Sequence, residues 1–175
     1  ITWSDDVSDN IEFWNENSLE LDGISYIRST GSVINQYDDL SISMWVNYAT
    51  LNSGDDSNVL ISYGGSEEER IDNILYSLNI RGSDKKLRMM WENGTDSRDV
   101  ISESAIAAPL TAGVWRHLVV TRDSFDKEVK FYSDGQMLGS EISYTIVPSG
   151  GTGGTLSIGA DKSDIQLTAF NGAID

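Results

Sequence analysis

Two neighbouring segments, residues 115–122 and 128–133, alternate between side chains that suit opposite sides of a β-strand. In the first, Leu118 and Val120 share one side with Arg122, while the residues between them share the other. This period of two is that of a strand with one face turned to a core. Residues 133–136, Ser-Asp-Gly-Gln, then suit a tight hairpin turn, because glycine readily takes a positive φ.

Short strand signals recur through the rest of the chain, separated by turns rich in Gly, Asn, Asp and Ser. A turn and short strand are predicted over 20–27, further strands over 41–47, 58–63, 76–81 and 87–91, a loop over 93–99, and closing strands over 156–159 and 170–175. No stretch of helical period has a convincing length. The pattern predicts an all-β chain folded as a two-sheet antiparallel sandwich.

These motifs, in this order, resemble those of the laminin-G-like domains, which belong to the concanavalin A-like jelly rolls. The resemblance is carried by residues 21–27, 41–46, 115–121, 132–135 and 156–159, and by the closing segment 170–175. It implies a jelly-roll sandwich that serves as a binding module. It does not specify a ligand, since one fold hosts many functions.

The length and composition fit one laminin-G-like domain over residues 1–175. The family's last motif continues as a strand, whereas this sequence stops at Asp175. We therefore expect a piece cut from a longer secreted protein, without its final strand. An unfilled position of this kind would leave a sheet edge open to association.

The chain has a net charge of −16 and contains no cysteine. Such a charge repels nucleic-acid phosphates and anionic lipid surfaces, so neither is an expected partner. No apolar run is long enough for a transmembrane helix, which excludes membrane insertion by that route. A cysteine-free extracellular domain is common among bacterial secreted proteins, although the cytosol is also compatible with it.

Catalysis is not expected. A glycosidase needs two carboxylates facing one cleft, and no pair of acids is found on one strand face. His117 is the only histidine, so a Ser-His-Asp arrangement could form only around it. Its position inside a predicted strand favours a packed or hydrogen-bonded histidine. The three tryptophans on strand segments, Trp45, Trp91 and Trp115, are expected in the core.

Calcium is the expected cofactor, because acidic and amide side chains supply its hard oxygen ligands. The family resemblance implies a site where an Asp-Gly turn meets the closing segment, formed by Asp22, Gly23 and Asp175. An equally weighted alternative makes Asp22 a turn former and Asp175 a frayed terminus.

Other candidate ligand-binding residues fall in two groups. The first is on polar loops, at Asp55, Asp56, Asp96 and Asp99, where ordinary solvated turns are the favoured alternative. The second is the polar side of the predicted hairpin, where Asn79, Arg81 and Arg88 could hold a sugar through paired hydrogen bonds. An ordinary wet sheet face would have the same composition.

The sequence thus predicts a non-catalytic, calcium-bearing extracellular module of a bacterial surface protein or adhesin. Its expected partners are a glycan or a cell-surface protein, together with neighbouring domains of a longer chain. The alternative is a structural or spacer domain of a secreted multidomain protein or enzyme, with no ligand beyond calcium.

Overall fold

In the computed structural model, the residues described are 18–30, 39–54, 58–64, 74–92, 97–101, 112–147, 155–160 and 168–175. They form strands arranged in two antiparallel sheets, which confirms the predicted all-β sandwich. In chain order the strands are β1 (Leu19–Asp22), β2 (Ile27–Thr30), β3 (Leu40–Thr50), β4 (Val59–Gly64), β5 (Ile74–Ile80), β6 (Leu87–Glu92), β7 (Ser97–Ile101), β8 (Arg116–Asp123), β9 (Glu128–Ser133), β10 (Gln136–Met137), β11 (Ile142–Ser143), β12 (Thr155–Ile158) and β13 (Asn171–Ile174).

The strands divide into a seven-stranded and a six-stranded sheet. The seven-stranded sheet has the order β1-β13-β3-β8-β9-β10, and β11 also pairs with β9. The six-stranded sheet has the order β2-β12-β4-β5-β6-β7. Because both β1 and β2 pair with strands from the end of the chain, the two ends of the described fold lie side by side. No helix in this part of the chain is long and apolar enough to cross a membrane.

The central hairpin, β8–β9–β10, forms as the sequence predicts. Leu118, Val120 and Arg122 are buried, and the residues between them are partly exposed. Asp134 and Gly135 connect β9 to β10 with φ of 50° and 76°. Two successive positive φ values define the hairpin turn whose twist matches that of the flanking strands.

Two local predictions are wrong. The segment predicted as a turn before a strand contains the strand β1, and the chain turns only over 23–26 before β2. The predicted loop over 93–99 ends instead in β7, which pairs with β6 along its whole length. The strands concerned, β1 and β7, are edge strands of their sheets. An edge strand is stabilised by its pairing partner, so its own sequence pattern carries a weaker signal.

The core lies between the inward faces of the two sheets. Val120, Val129 and Phe131 of one sheet pack with residues such as Leu78 and Met89 of the other, all at most 1% exposed. Trp91 is fully buried among them, as predicted. Arg122 is also buried, and its guanidinium carbon lies 5.8 Å from the centre of the Trp91 ring.

Asn58 fixes one end of the six-stranded sheet. It is fully buried with φ of 59°, and its Nδ2 donates to the carbonyl oxygens of Asn52 and Ile80, both at 3.0 Å. Its Oδ1 accepts from the backbone nitrogen of Asn52 at 2.8 Å. These hydrogen bonds hold the loop at Asn52 against Gly82. An added Cβ at Gly82 would lie 1.9 Å from the Asn52 carbonyl oxygen.

We predict that Gly82→Ala destabilises the fold by about 1–3 kcal/mol, as overpacking of a close backbone contact typically does. Urea unfolding followed by tryptophan fluorescence measures the loss. Gln136→Ala, at an exposed position, is the control and should stay within about 0.5 kcal/mol of the parent. Equal midpoints for Gly82→Ala and the parent would contradict the contact.

Candidate functional site

The outward side of the six-stranded sheet is polar, and we call it the polar face. Cross-strand pairing aligns Ser157 of β12 with Ser62 of β4, and Ser62 with Ser77 of β5. The same line of pairs runs on to Met90 of β6 in one direction and to Arg28 of β2 in the other. Because paired residues of antiparallel strands share a face, these side chains cross the middle of the sheet.

The three serines form a small-residue floor about 10 Å long, given a strand spacing of about 4.8 Å. All three are buried, at 1–6% exposure. Ser62 Oγ donates to the Ala160 carbonyl oxygen at 3.4 Å. Ser157 Oγ is buried with no hydrogen-bond partner among the described residues. A desolvated hydroxyl without a partner is costly, so this floor is not optimised for stability.

Next to the serines, the β5–β6 hairpin collects cationic side chains on the polar face. Asn79 pairs with Arg88, and the ladder continues through the hydrogen bond from Arg81 N to Lys86 O at 2.9 Å. Arg81, Lys86 and Arg88 therefore occupy adjacent outward positions, which we call the cationic corner. Asn79 is buried, and the three cations are half-buried.

Asp84, which lies between Arg81 and Lys86 in the chain, is committed to the hairpin turn. Asp84 forms an ion pair with Arg81, with 3.1 Å between Oδ2 and Nη1. Its Oδ1 accepts from the backbone nitrogen of Lys86 at 3.2 Å. Lys85 Nζ donates to the Gly82 carbonyl oxygen at 2.6 Å. The turn is thus preorganised by its own ion pair and hydrogen bonds.

The structure brings together Asn79, Arg81 and Arg88, as expected from the sequence, and their role in binding stays a prediction. Lys86 was missed, although its spacing of two from Arg88 is a signal that strand alternation supplies. Asp55, Asp56 and Asp96 lie outside the described residues. Asp99 lies on β7 rather than in a loop, paired with Met90.

The proposed calcium ligands are not brought together. Asp22 pairs with Asn171 at one end of the β1–β13 ladder, whereas Asp175 follows its other end, about 13 Å along the strand. One ion with ligands at about 2.3–2.6 Å cannot contact both carboxylates. In the part of the chain that the structure describes, no group of three acidic or histidine side chains could hold a metal. Calcium at the loops stays a prediction.

Asp22 instead forms the turn after β1. Its Oδ1 accepts from the backbone nitrogens of Ile24 at 3.0 Å and Ser25 at 2.7 Å. These hydrogen bonds lower the pKa of the Asp22 carboxyl below its ordinary value, and the hydrogen bond from Ile24 contributes most. Gly23 has φ of 84°, and an added Cβ would meet the Asn171 side chain at 3.3 Å. The turn-forming alternative for Asp22 therefore accounts for its contacts.

Among the described residues, no catalytic triad forms around the lone histidine. His117 Nε2 lies 2.8 Å from Ser43 Oγ on the outward side of the seven-stranded sheet. The carboxylate of Asp134 contacts the His117 backbone nitrogen and Arg116 Nη1, at 2.9 and 2.7 Å, rather than the imidazole. The hydrogen-bonded strand histidine expected from the sequence is what the structure shows.

Two of the three strand tryptophans are not in the core, contrary to expectation. Trp45 is half-buried on the outward side of β3, with its ring centre 5.0 Å from that of His117. Trp115 precedes β8 and is also half-buried. Outward positions of strands favour aromatic residues too, because their rings cover the neighbouring backbone.

Comparison with known proteins gives a family and several solved structures of the same fold. The sequence model described as the concanavalin A-like lectin/glucanases superfamily matches residues 21–175. No curated protein matches the chain. Domain 4 of AbnA, a GH43 extracellular arabinanase from Geobacillus stearothermophilus solved with arabinotriose, is 21% identical with a TM-score of 0.59. That match covers 90% of this chain and 67% of the other.

Two further structures share the fold. The CBM40 domain of the Ruminococcus gnavus IT-sialidase, bound to α2,3 sialyllactose, is 16% identical with a TM-score of 0.59, over 78% of this chain and 72% of that one. Domains LG4-5 of the mouse laminin α1 chain are 13% identical with a TM-score of 0.59, over 90% of this chain and 39% of theirs. At these sequence identities, the similarity shows a shared fold and nothing further.

We predict that Asp22→Ala lowers the melting temperature at pH 7 equally with and without EDTA, because the turn loses two hydrogen bonds. The pKa of Asp22 is depressed in the folded state, so its contribution is present above the unfolded pKa and is lost as the pH falls through the folded value. The difference from the parent should therefore shrink in acid. A melting difference that disappears in EDTA would instead point to a calcium ligand.

Ser157→Ala should leave the melting temperature unchanged or raise it, because it removes a buried hydroxyl that has no partner. Ser62→Ala is the matched variant and should lower stability by about 1 kcal/mol, since it loses a hydrogen bond to Ala160. Thermal melts of both variants test this. A clear destabilisation by Ser157→Ala would show that its hydroxyl is paired.

Proposed function

The chain belongs to the concanavalin A-like lectin/glucanase superfamily, and from this premise we propose that it is a non-catalytic module that binds a saccharide on the polar face. The observation that carries the proposal is the set of hydrogen-bonding side chains that register places on one face, where Lys86 and Arg88 are half-buried. A guanidinium offers a fan of donors and an ammonium offers three. Such groups match neighbouring hydroxyls on a sugar ring.

The chemistry of the polar face supports binding without catalysis. Glycoside hydrolysis uses two carboxylates on either side of the scissile bond. Register places Asp99 of β7 beside Met90 on this face, and Asp84 in the adjoining turn is engaged with Arg81. The described groups can donate hydrogen bonds and position a ligand.

The setting we propose is extracellular, within a longer secreted or cell-surface protein. The arabinanase domain in complex with arabinotriose belongs to an extracellular enzyme, and the CBM40 domain bound to sialyllactose belongs to a sialidase. Both support a glycan partner and neighbouring domains for this chain. An adhesive role fits the same site. Calcium, proposed at the loops that carry Asp55, Asp56 and Asp96, would stabilise those loops.

We predict that Arg88→Ala weakens saccharide binding roughly tenfold or more, because a hydrogen bond from a charged donor contributes about 1.5–3 kcal/mol. A glycan array identifies the ligand, and titration calorimetry measures the variant. Lys130→Ala is the control: it removes a cation from the outward side of the other sheet, 3.5 Å from Glu128. Binding that Lys130→Ala weakens as much as Arg88→Ala would contradict the placement of the site.

A further inference from the structure

Phe125 is the most exposed large apolar side chain in the described part of the chain, with 91% of its surface open to solvent. It lies in the connection 124–127, which joins Asp123 at the end of β8 to Glu128 at the start of β9. We call this connection the Phe125 turn. Scattered apolar residues are normal on a protein surface, so exposure alone assigns no function. The contacts beneath the ring distinguish this one.

The backbone that carries Phe125 is fastened from within the hairpin. Asp123 Oδ1 accepts from the backbone nitrogens of Phe125 at 2.9 Å and Asp126 at 2.8 Å. Lys127 takes a φ of 57°, and its carbonyl oxygen accepts from the Tyr144 backbone nitrogen at 2.9 Å. The turn is therefore bound both to β8 and to the segment after β11.

A second carboxylate holds the same turn from the neighbouring strand. Asp39, which precedes β3, accepts at Oδ1 from the Ser124 backbone nitrogen at 2.9 Å and from Ser124 Oγ at 2.7 Å. The hydrogen bond from the backbone nitrogen, and then that from the hydroxyl, lower the pKa of the Asp39 carboxyl, so it is ionised at neutral pH. Phe125 is thus positioned before any partner binds, which reduces the ordering cost of association.

The shape and charge around Phe125 indicate what it fits. Sites for small molecules are concave, whereas a ring that is almost wholly exposed projects from the surface. A projecting aromatic side chain suits the pocket of a partner, where such anchors contribute much of the binding energy. Asp39, Asp123 and Asp126 give this surface three carboxylates, and Lys127 is the one cation in 123–127. Cations around the partner's pocket would complement them.

We propose that Phe125 anchors a protein–protein contact, and that the partner is a protein with an apolar pocket rimmed by Lys and Arg side chains. A second copy of this chain fits less well, because two copies with a net charge of −16 repel each other. The Phe125 turn joins strands of the seven-stranded sheet, whereas the polar face belongs to the six-stranded sheet. The proposed contact is therefore independent of saccharide binding there.

The recognition chemistry is tested with two ring-shaped probes whose apolar cavity admits a phenyl group. The whole chain is titrated with β-cyclodextrin and with heptakis(6-amino-6-deoxy)-β-cyclodextrin, whose rim carries ammonium groups. We expect the ammonium-rimmed ring to bind roughly fivefold or more tightly, since each exposed ion pair adds a modest gain. Phe125→Ser should abolish the binding of both rings, and Asp126→Asn should reduce the preference between them.

The matched control is Ile24→Ser. Ile24 is 69% exposed, and Asp22 Oδ1 accepts from the backbone nitrogens of Ile24 and Ser25 as Asp123 does in the Phe125 turn. Neither Ile24→Ser nor Arg88→Ala should change the binding of either ring. Equal binding of the two rings, or binding that Phe125→Ser leaves intact, would overturn the proposed recognition. Loss in Arg88→Ala alone would place the rings at the polar face and overturn it too.

The partner is tested with benzoylphenylalanine at position 125 or at position 24, crosslinked in extract and medium of the source cells. A protein captured from position 125 alone is then purified and titrated. We expect Phe125→Ser to weaken its binding roughly thirtyfold or more, as loss of an interface anchor does. Rising salt should weaken the parent complex. Equal binding of Phe125→Ser, crosslinks only between copies of this chain, or no captured protein would overturn the proposal and leave the proposed function untouched.

Discussion

Trp91 joins the two sheets, and the arrangement of the sandwich depends on its contacts. The fully buried indole lies beneath the guanidinium of Arg122, which comes from the opposite sheet. Its Nε1 donates to the Ile146 carbonyl oxygen at 2.7 Å, and its ring meets that of Tyr144 edge-on at 4.9 Å. Tyr144 in turn donates from its hydroxyl to the Asp123 carbonyl oxygen at 3.0 Å. One side chain thus connects β6, β8 and the segment after β11. A buried cation is costly, so Arg122 is retained only where neighbours such as Trp91 compensate its charge.

This anchoring decides which side of β6 is available for binding. Side chains alternate along a strand, so burying Leu87, Met89 and Trp91 turns Arg88 and Met90 outward. Register then places Asn79 beside Arg88, because the β5–β6 pairing is fixed by the same apolar rows. A slip of one residue would bury the arginine and expose the tryptophan. The candidate site is therefore held in place by the core on the opposite face of the sheet.

Prediction from the sequence succeeded where one strand carries a strong pattern of its own. The strands β3, β8 and β9 follow a clear alternation, and the turn at Asp134 and Gly135 has the residues that two positive φ values require. Prediction failed at β1 and β7. These are edge strands, so each is stabilised by a pairing partner on one side only. It also failed for Trp45, since an aromatic residue on a strand suits either face. The pairing of Asn79 with Arg88 could be predicted from the sequence, because both residues lie on one predicted hairpin.

The sequence by itself determined the all-β class, the hairpins and the inward faces of the strong strands, because these depend on side-chain order within a few residues. The tertiary structure decided which distant segments meet. The β1–β13 register, which no local pattern specifies, separates Asp22 from Asp175 and leaves Asp22 to form a turn. In the same way, the line of serines across β12, β4 and β5 arises from strands far apart in the chain. Pairing between sequence-distant strands is set by the burial of the whole core, and its energy is not contained in any single segment.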